Sequence, residues 1–432
     1  MRYDELNKAL KWDGKIINEQ QTEVKSQYRK NILTLMAGTS IAQAFPIAIT
    51  PILTRIYTPE DFGLFAIYMA LASIISIIVT GRYELAIILP HKDEDAFQIM
   101  TFAMLITIII SFILLVLVLN FNSEIANAIQ HPEVSRFLYL LPISVALTGF
   151  YQTLTFWHNR NKRFNNIAIN RVGQSAGTAS GQLGFAFLYQ SIGLIAGQII
   201  GQFLGLLFFV GSYFSKDHEK YQVNVLKMKA LAVRYRKFPW IDGPTQLINI
   251  IANQAPNILL SSLFSISSAG FYYLTQRVLQ APITLISGSV LDVFKQRASE
   301  DYNKYGNCRK IFRNTFWTLL LLGAPSSLVL FFFIEDLITL VFGEPWREAG
   351  SYAQIMVPAL FLRFMANPLS FIIYIAEQQV VNLIGMLSLF VMICFSLFIS
   401  QNPLKAVFGI SFSYSIVYTS YIIVSARLAK AI

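Results

Sequence analysis

The chain has 432 residues, of which 55% are hydrophobic and 13% are charged, and its net charge is +10. A soluble domain carries about 25% charged residues, so this composition excludes an ordinary soluble protein and requires lipid as the solvent for most side chains. The apolar runs are continuous and reach the roughly 20 residues of helix that cross the hydrocarbon core. Because backbone groups in lipid must be satisfied internally, the sequence predicts an all-α integral membrane protein.

Twelve apolar runs are long enough to be transmembrane helices. No cleavable signal peptide is expected before the first run, because the preceding residues are polar and the run itself has full length. The predicted spans are residues 31–53, 62–82, 97–119, 136–156, 169–189, 192–213, 239–261, 269–292, 312–334, 351–376, 380–399 and 403–425.

The distribution of lysine and arginine predicts the orientation of these spans. With the N-terminus inside, 28 of the 34 lysines and arginines fall in cytoplasmic segments. This agrees with the excess of positive charge that cytoplasmic loops carry. The sequence therefore predicts both termini in the cytoplasm. The net charge is explained by orientation, so no nucleic-acid partner is expected.

The longest polar interruption, residues 215–238, divides the chain into two halves. We interpret it as a basic cytoplasmic linker between an N-terminal six-helix bundle, residues 31–214, and a C-terminal six-helix bundle, residues 239–426. Residues 1–30 form a basic cytoplasmic arm, either solvated or lying on the membrane surface. Residues 427–432 form a cytoplasmic tail.

The two predicted bundles carry similar motifs about 205 residues apart, which indicates an internal repeat. In each half, glycine and proline lie thirteen residues apart in the first span, and glycine followed by aromatic residues ends the next loop. Six helices per copy keep both copies in one orientation, so the repeat is parallel and its axis lies along the membrane normal. The matching positions are Gly38 with Pro51, Gly243 with Pro256, Gly63 with Phe65, and Gly270 with Phe271.

The sequence contains no pattern of an enzyme. No Ser/His/Asp set, nucleotide-binding loop or dinucleotide fingerprint is present, so no catalytic residue is predicted, and transport is not driven directly by ATP in this chain. The acidic run at residues 93–95 is interpreted as a solvated loop at a helix end rather than a metal site. Cys308 and Cys394 offer no disulfide framework. No metal or cofactor is predicted, and all four histidines are predicted in loops: His91, His131, His158 and His218.

Two arginines inside predicted spans are candidates for binding an anion. Arg363 lies near the middle of the tenth span and Arg277 lies in the eighth, and neither has an acidic residue at similar depth. An ionisable group in the hydrocarbon usually faces a bundle interior or a wet cavity. The planar guanidinium donates paired hydrogen bonds that suit a phosphate or carboxylate. The alternative is that each arginine holds helix-end carbonyls or reaches the interface.

Neutral amides and glycines define two further helix faces. In the seventh span, amide side chains recur every three or four residues and either line water or bond neighbouring helices. Glycines repeat every four residues in the fifth and sixth spans and predict close helix packing. The amides are Gln246, Asn249, Asn253 and Asn257, with Gln43 in a weaker stripe of the first span; the glycines are Gly173, Gly177, Gly181, Gly193, Gly197, Gly201 and Gly205.

Two stretches of the first half resemble a known family. They are TRIYTPEDFGLFAIYMALASIISIIVTGRYELAIILP at residues 54–90 and YQTLTFWHNRNKRFNNIAINRVGQ at residues 151–174. With twelve spans in two halves, they resemble the Wzx-type polysaccharide biosynthesis proteins. These are lipid-linked oligosaccharide flippases of the multidrug/oligosaccharidyl-lipid/polysaccharide (MOP) exporter superfamily.

The resemblance implies a bacterial inner-membrane flippase with a central cavity between two bundles. Its cargo would be an undecaprenyl-pyrophosphate-linked oligosaccharide for O-antigen, capsule or exopolysaccharide, moved by alternating access among membrane lipids, with a polymerase downstream. Arg277 and Arg363 would bind the pyrophosphate, and the amides, including Gln43, would bind the sugars. Arg82 and Glu84 would form part of an inner gate, with a local surface ion pair as the alternative.

Two other functions remain open at this point. A MATE-like drug/cation antiporter belongs to the same superfamily, but cationic drugs favour intramembrane acids, and none lies deep in a predicted span. A membrane glycan polymerase or glycosyltransferase would normally show a large outer loop, and the predicted outer loops are short. The missing acids also argue against a carboxylate site for a coupling proton or sodium ion, so the driving force is left open.

Overall fold

The computed structural model describes Thr34 and residues 36–186, 190–217 and 221–431. The predicted N-terminal arm lies outside the described residues. All regular secondary structure in the described ranges is helical, which confirms the all-α prediction.

The described ranges contain twelve long helices, which we number in chain order. They are α1 Met36–Ile56, α2 Pro59–Ile78, α3 Asp93–Ala128, α4 Leu141–Arg160, α5 Phe164–Ala186, α6 Gln190–Lys216, α7 Gly243–Leu263, α8 Ile266–Tyr305, α9 Arg309–Phe342, α10 Arg347–Leu369, α11 Gln379–Ile399 and α12 Pro403–Leu428. A shorter helix, Val225–Arg234, lies between α6 and α7 and is called the linker helix below.

Not every long helix is apolar enough to be recognised as a membrane span. Within the described ranges, eight helices are long and apolar enough to cross a membrane. Helix α4 becomes a ninth if it is counted together with the preceding segment Pro132–Leu138, and the two are bent by 49° relative to each other. The helices that do not qualify are α5, α7 and α8, which carry the amides and two of the arginines discussed below. The chain is thus a multi-pass membrane protein, and the number of twelve spans stays a prediction.

Several predicted boundaries differ from the helices. The eighth span was predicted to end at residue 292, but α8 continues to Tyr305 and ends at Gly306, whose φ of 66° suits glycine. A helix can continue beyond the hydrocarbon core of the membrane, whereas hydropathy detects only the part of the helix that lies in lipid. For the same reason hydropathy did not detect the linker helix, which lies in a polar segment. The Asn224 side chain caps this helix by accepting from the Lys227 N–H. Residues 190–191, which fall between the fifth and sixth predicted spans, belong to α6, because that helix begins at Gln190.

His158 was predicted in a loop, and this prediction is wrong. It lies on α4, fully buried. Its Nδ1 lies 2.9 Å from the Leu154 carbonyl oxygen and its Nε2 lies 3.1 Å from Ser212 Oγ. These two partners satisfy a polar ring inside the packing between α4 and α6, so His158 has a structural role.

Helix α2 lies at the centre of the packing and contacts helices from both halves of the chain, α4 and α6 on one side and α7 and α8 on the other. Near its start, Phe62 packs edge-on against Trp346, with ring centroids 4.8 Å apart. Trp346 Nε1 donates to the Thr54 carbonyl oxygen at 3.0 Å. These buried contacts join the two halves at the end of the molecule where α2 and α8 begin.

Helices α5 and α6 pack closely, as the glycine pattern predicts. A Cβ placed on Gly181 would lie 2.8 Å from the Cα of Gly197, which is too short for a real contact. Close packing is therefore confirmed at this crossing. It does not extend along the whole predicted ladder, because a Cβ on Gly173 would meet nothing within 4 Å.

Candidate functional site: a cationic cavity between the halves

A first cavity, of about 330 Å³, lies between α1, α5 and α6. Arg171 of α5 enters it and donates from Nη1 to the hydroxyl of Thr39 on α1. The other lining side chains are small or neutral, mainly hydroxyls and amides. They are Ala42, Gln43, Pro46, Gln174, Ser175, Thr178 and Gln198.

A second cavity, of about 310 Å³, lies between α1 and α8. It is lined by Arg277, whose Nη2 donates to the Pro46 carbonyl oxygen at 2.9 Å. That carbonyl lies inside a helix and is not a helix-end group. Among the described residues, the buried Nε of Arg277 has no hydrogen-bond partner. Gln43 and Pro46 line both cavities, so the two chambers adjoin along α1.

Arg363 lies in a third and much smaller space, of about 10 Å³, between α8, α10 and α12. A space of this size holds about one water molecule. Tyr414 and Tyr418 line it, and their rings are stacked with centroids 5.7 Å apart. Gln276 and Gln280 of α8 line this space and the second cavity as well. A continuous series of lining residues therefore connects Arg171, Arg277 and Arg363.

The charge of this series is wholly positive. None of the described residues that line the three spaces is an aspartate or glutamate. Arg277 and Arg363 form no ion pair with a described carboxylate. Holding permanent cations away from water without a counter-ion is costly. The arrangement is suited to an anionic ligand that several guanidinium groups bind together.

The predicted amides of α7 occupy different surroundings from Gln43. Asn253 Nδ2 donates within its own helix, to the backbone and side-chain oxygens of Asn249, at 2.8 Å. Asn257 is buried, and its Nδ2 donates to Gln254 Oε1 at 3.0 Å. These two residues, like Gln246 and Asn249, are absent from the described linings of the three spaces. Their role as sugar ligands stays a prediction.

The predicted gate residues form a network that joins the two halves. Arg82 Nε donates to Asp242 Oδ2 at 2.7 Å, and Arg82 Nη1 donates to Glu84 Oε1 at 3.2 Å. Asp242 directly precedes α7, whereas Arg82 and Glu84 lie between α2 and α3. Glu84 is only 2% exposed and also accepts from the Thr80 hydroxyl. Burial raises the pKa of Glu84 above its ordinary value.

Two members of these sites were missed at the level of sequence. Arg171 lies near the start of the fifth predicted span and was counted with the cytoplasmic basic residues, yet α5 begins at Phe164 and places Arg171 two turns inside the helix. The signal that would have found it is helical spacing, since Gln174, Ser175 and Thr178 follow on the same face. Asp242 gave no signal, because only the fold brings it to Arg82.

The acidic run at residues 93–95 belongs to ion pairs. Arg160 Nη2 lies 2.8 Å from Asp93 Oδ1, and Lys227 Nζ lies 2.6 Å from Asp95 Oδ1 and 3.3 Å from Glu94 Oε2. The run lies at a helix end, as predicted, but it forms the first turn of α3 instead of a loop. Carboxylates in a first turn suit the helix dipole. In the ranges that the structure covers, no group of three acidic, histidine or cysteine side chains is placed to hold a metal ion.

Comparison with known proteins gives the family. Residues 52–351, more than half of the chain, match the family model described as polysaccharide biosynthesis protein. The chain belongs to this family. The matched region runs from the end of α1 to the start of α10, and so includes Arg171, Arg277 and the gate.

Two curated relatives carry names from polysaccharide biosynthesis. The succinoglycan biosynthesis transport protein ExoT of Rhizobium meliloti (strain 1021) is 22% identical over 309 residues, which are 69% of this chain and 59% of that protein. The teichuronic acid biosynthesis protein TuaB of Bacillus subtilis (strain 168) is 23% identical over 293 residues, 66% of this chain and 58% of that protein. In both, the match spans less than two thirds of the relative.

Solved structures share the fold over most of the chain. A MATE-family multidrug transporter of the MOP superfamily, in an inward-facing conformation, matches with a TM-score of 0.70 at 11% identity, covering 92% of this chain and 95% of that one. The lipid II flippase MurJ, inward closed, also matches with a TM-score of 0.70, at 15% identity, covering 94% and 87%. These likenesses show that the chain shares the fold of these two transporters. ExoT is named as a transport protein and the two solved structures as a transporter and a flippase, in agreement with the prediction that the chain is not an enzyme.

Proposed function

We propose that this protein is a flippase that moves a lipid-linked oligosaccharide across the bacterial inner membrane. The cargo is an undecaprenyl-pyrophosphate-linked repeat unit for a surface polysaccharide such as O-antigen, capsule or exopolysaccharide. The observation that carries the proposal is the set of three arginines, Arg171, Arg277 and Arg363, in connected spaces without a described carboxylate. Membership in a polysaccharide biosynthesis family supports the same class of cargo.

In this proposal the pyrophosphate binds where the two chambers adjoin along α1. Arg277 lies in one chamber and Arg171 in the other, and Gln43 and Pro46 belong to both. Two guanidinium groups that converge on one diphosphate each donate paired hydrogen bonds to oxygens. Arg363 extends the positive charge towards the second half of the chain. Neutral amides such as Gln43, Gln174 and Gln198 bind sugar hydroxyls, and those of α7 join them when the cavity opens.

The proposed architecture is twelve spans in two six-helix bundles, with the linker at residues 215–238 and both termini in the cytoplasm. The symmetry of the contact between α2 and α8 supports it. Thr58 caps α2 by accepting from the Asp61 N–H, and Ser265 caps α8 by accepting from the Ser268 N–H, at corresponding positions. Two bundles related by such a repeat rock against each other to alternate access.

Arg82, Glu84 and Asp242 act as the inner gate in this mechanism. The ion pair between Arg82 and Asp242 crosses from the first half to the second, so it must break if the halves separate on that side. Glu84 holds Arg82 in place from within the first half. The gate therefore favours the state in which the cytoplasmic side is closed, and cargo entry requires it to open.

A second candidate is a MATE-like drug/cation antiporter, favoured by the likeness to an inward-facing MATE-family transporter. The charge of the cavity decides between the candidates. A cationic drug would meet three arginines and no described carboxylate in the lining, which is repulsive. The flippase is therefore the better supported function.

The test is the sidedness of the lipid-linked oligosaccharide in cells that lack this protein, with and without a plasmid copy. The proposal predicts that complete repeat units accumulate on the cytoplasmic leaflet and that the plasmid relieves the accumulation. A plasmid that encodes the Arg277→Ala variant is the matched control, because this variant should reach the membrane without relieving the accumulation. Normal sidedness in the deletion strain, together with altered sensitivity to cationic drugs, would favour the antiporter instead.

A further inference from the structure

The linker helix Val225–Arg234 has one face packed on the protein and one face exposed. Met228 and Leu231 are buried against α3, and Tyr83 donates to the Ala232 carbonyl oxygen at 3.0 Å. Before the helix, Gln98 Nε2 of α3 donates to the Gln222 carbonyl oxygen at 2.7 Å. These contacts and the Lys227–Asp95 pair fix the helix beside the first turns of α3.

Exposed apolar side chains lie at the start of this helix, on the face opposite Met228 and Leu231, and in the segment after the helix. Leu226 is 81% exposed and Trp240 is 78% exposed. Soluble surfaces avoid concentrating large apolar side chains in this way, and such patches mark protein or membrane contacts. We call the set the linker patch; its members are Val225, Leu226, Val233, Trp240 and Ile241.

Four exposed basic residues surround the linker patch: Lys229, Arg234, Arg236 and Lys237. None of the four forms an ion pair with a carboxylate in the part of the chain that the structure describes. Apolar side chains bordered by lysine and arginine are the pattern of a helix that lies in the membrane interface. Anionic headgroups attract such basic residues, and the attraction is independent of any particular cargo.

We propose that the linker patch binds the bilayer surface and selects anionic phospholipids around the inner gate. The position of the patch supports a lipid partner, because the linker helix lies beside the start of α3 and leads through Phe238–Asp242 into α7. Helix ends of this kind lie at the level of the headgroups. The inference rests on the proposed topology only in placing the patch on the cytoplasmic leaflet.

The test uses Trp240 as a reporter in the purified full-length chain, reconstituted into vesicles without any oligosaccharide cargo. Brominated phosphatidylcholine and brominated phosphatidylglycerol are compared as quenchers at equal mole fraction. The signal of Trp240→Phe is subtracted, which removes the other tryptophans. The inference predicts that the anionic lipid quenches Trp240 more strongly, and that high salt removes the excess.

Charge variants make the test specific. Neutralising the four basic residues with Lys229→Gln, Arg234→Gln, Arg236→Gln and Lys237→Gln should reduce the excess quenching by about fivefold or more. The matched control neutralises four other exposed basic residues near the start of α9, with Lys304→Gln, Arg309→Gln, Lys310→Gln and Arg313→Gln. The control should leave the excess unchanged.

Three results would overturn the inference. They are equal quenching by the two lipids, an equal loss in the control variant, and quenching of Trp240 by aqueous iodide without quenching by either lipid. None of them depends on cargo movement, so they leave the flippase proposal to its own test. Leu226→Gln adds an independent check, because it should weaken quenching by both lipids without changing their ratio.

Discussion

Gly63 of α2 and Gly270 of α8 face each other across the boundary between the two halves, and each lies against the other helix's backbone. A Cβ on Gly63 would overlap the Ile266 carbonyl oxygen, and a Cβ on Gly270 would overlap the Pro59 carbonyl oxygen. The two contacts are reciprocal, because Pro59 precedes Gly63 by four residues and Ile266 precedes Gly270 by four. The Ser267 hydroxyl also donates to Glu60 across the same contact.

Gly270→Ala should destabilise the protein by about 1–3 kcal/mol, because added volume in a close-packed contact forces the backbones apart. Gly288→Ala on the same helix is the control, since a Cβ there meets nothing within 4 Å. Thermal unfolding of the purified protein in one detergent measures both. We expect a lower Tm for Gly270→Ala and an unchanged or higher Tm for Gly288→Ala. The same Tm for both would mean that α2 and α8 are not in close contact.

Arg277→Ala and Arg363→Ala should each lower glycan export at least tenfold while the protein still reaches the membrane, because a charge-assisted hydrogen bond contributes about 1.5–3 kcal/mol. Arg277→Lys and Arg363→Lys should retain part of the activity, since lysine keeps the charge and loses the paired donors. Export is measured as surface polysaccharide per unit of membrane-inserted protein. Arg136→Ala, at an exposed position outside the cavity, is the control. Normal export by both alanine variants contradicts the cavity assignment.

Arg171→Ala should resemble Arg277→Ala in its effect on export. The reason is geometric, since Arg171 and Arg277 line chambers that share Gln43 and Pro46. If they bind one diphosphate, the loss in the double variant should be smaller than the product of the two single losses, because neighbouring sites are not additive. If the loss of export in the double variant equals the product of the two single losses, Arg171 and Arg277 bind two separate ligands.

The pair formed by Arg82 and Asp242 should control access from the cytoplasm. Asp242→Asn should speed maleimide labelling of a cysteine at position 39, introduced in a background without Cys308 and Cys394. Arg82→Gln should speed labelling in the same way. The double variant should be labelled no faster than either single variant, because each substitution removes the same ion pair. Asp93→Asn removes an ion pair within the first half and is the control. Unchanged labelling in Asp242→Asn would remove this pair from the gate.

The buried Glu84 carboxyl predicts a pH dependence. Burial raises its pKa above the ordinary value of 4.5, against the lowering effects of Thr80 and Arg82. The folded protein therefore holds this proton more tightly than the unfolded chain does. The resulting stability is complete below about pH 4.5 and is lost as the pH rises through the raised pKa. The nearby Asp242 charge acts in the same direction on the pKa.

Glu84→Gln removes the titration and shows the effect in Tm. As the pH rises from 4.5 towards neutrality, the Tm of Glu84→Gln should rise relative to the Tm of the wild-type protein. Asp93→Asn, whose aspartate is 56% exposed, should show no such trend. Parallel Tm curves for Glu84→Gln and the wild-type protein would show that Glu84 is not held in a desolvated site.

The apolar helices and the membrane class were predictable from sequence, because the hydropathy of a span depends only on the residues within that span. The cavity was predictable only in part. Arg277 and Arg363 stood out against apolar neighbours, whereas Arg171 lies near the start of its predicted span and was counted with the cytoplasmic basic residues. Helices that line a wet cavity are polar on one face, so hydropathy is least informative for α5 and α8. It is also uninformative for α7, whose amides bond within their own helix.

Contacts between distant segments could not be predicted from residue type. Nothing near Asp242 indicates Arg82, and the linker helix shows its apolar exposed face only when the opposite face is seen to pack on α3. The glycine and aromatic motifs around Gly63 and Gly270 did carry a signal. They predicted a repeat, and in the fold the two motifs contact each other directly.

The most direct test of cargo movement is made with purified components. The wild-type protein is reconstituted into vesicles with a labelled undecaprenyl-pyrophosphate-linked oligosaccharide, and an impermeant reagent measures how much cargo changes leaflet. The account predicts transfer by the wild-type protein and by Arg136→Gln. It predicts none by the triple variant Arg171→Gln, Arg277→Gln, Arg363→Gln, folded and inserted in equal amount. Transfer by the triple variant at the wild-type rate would contradict the account.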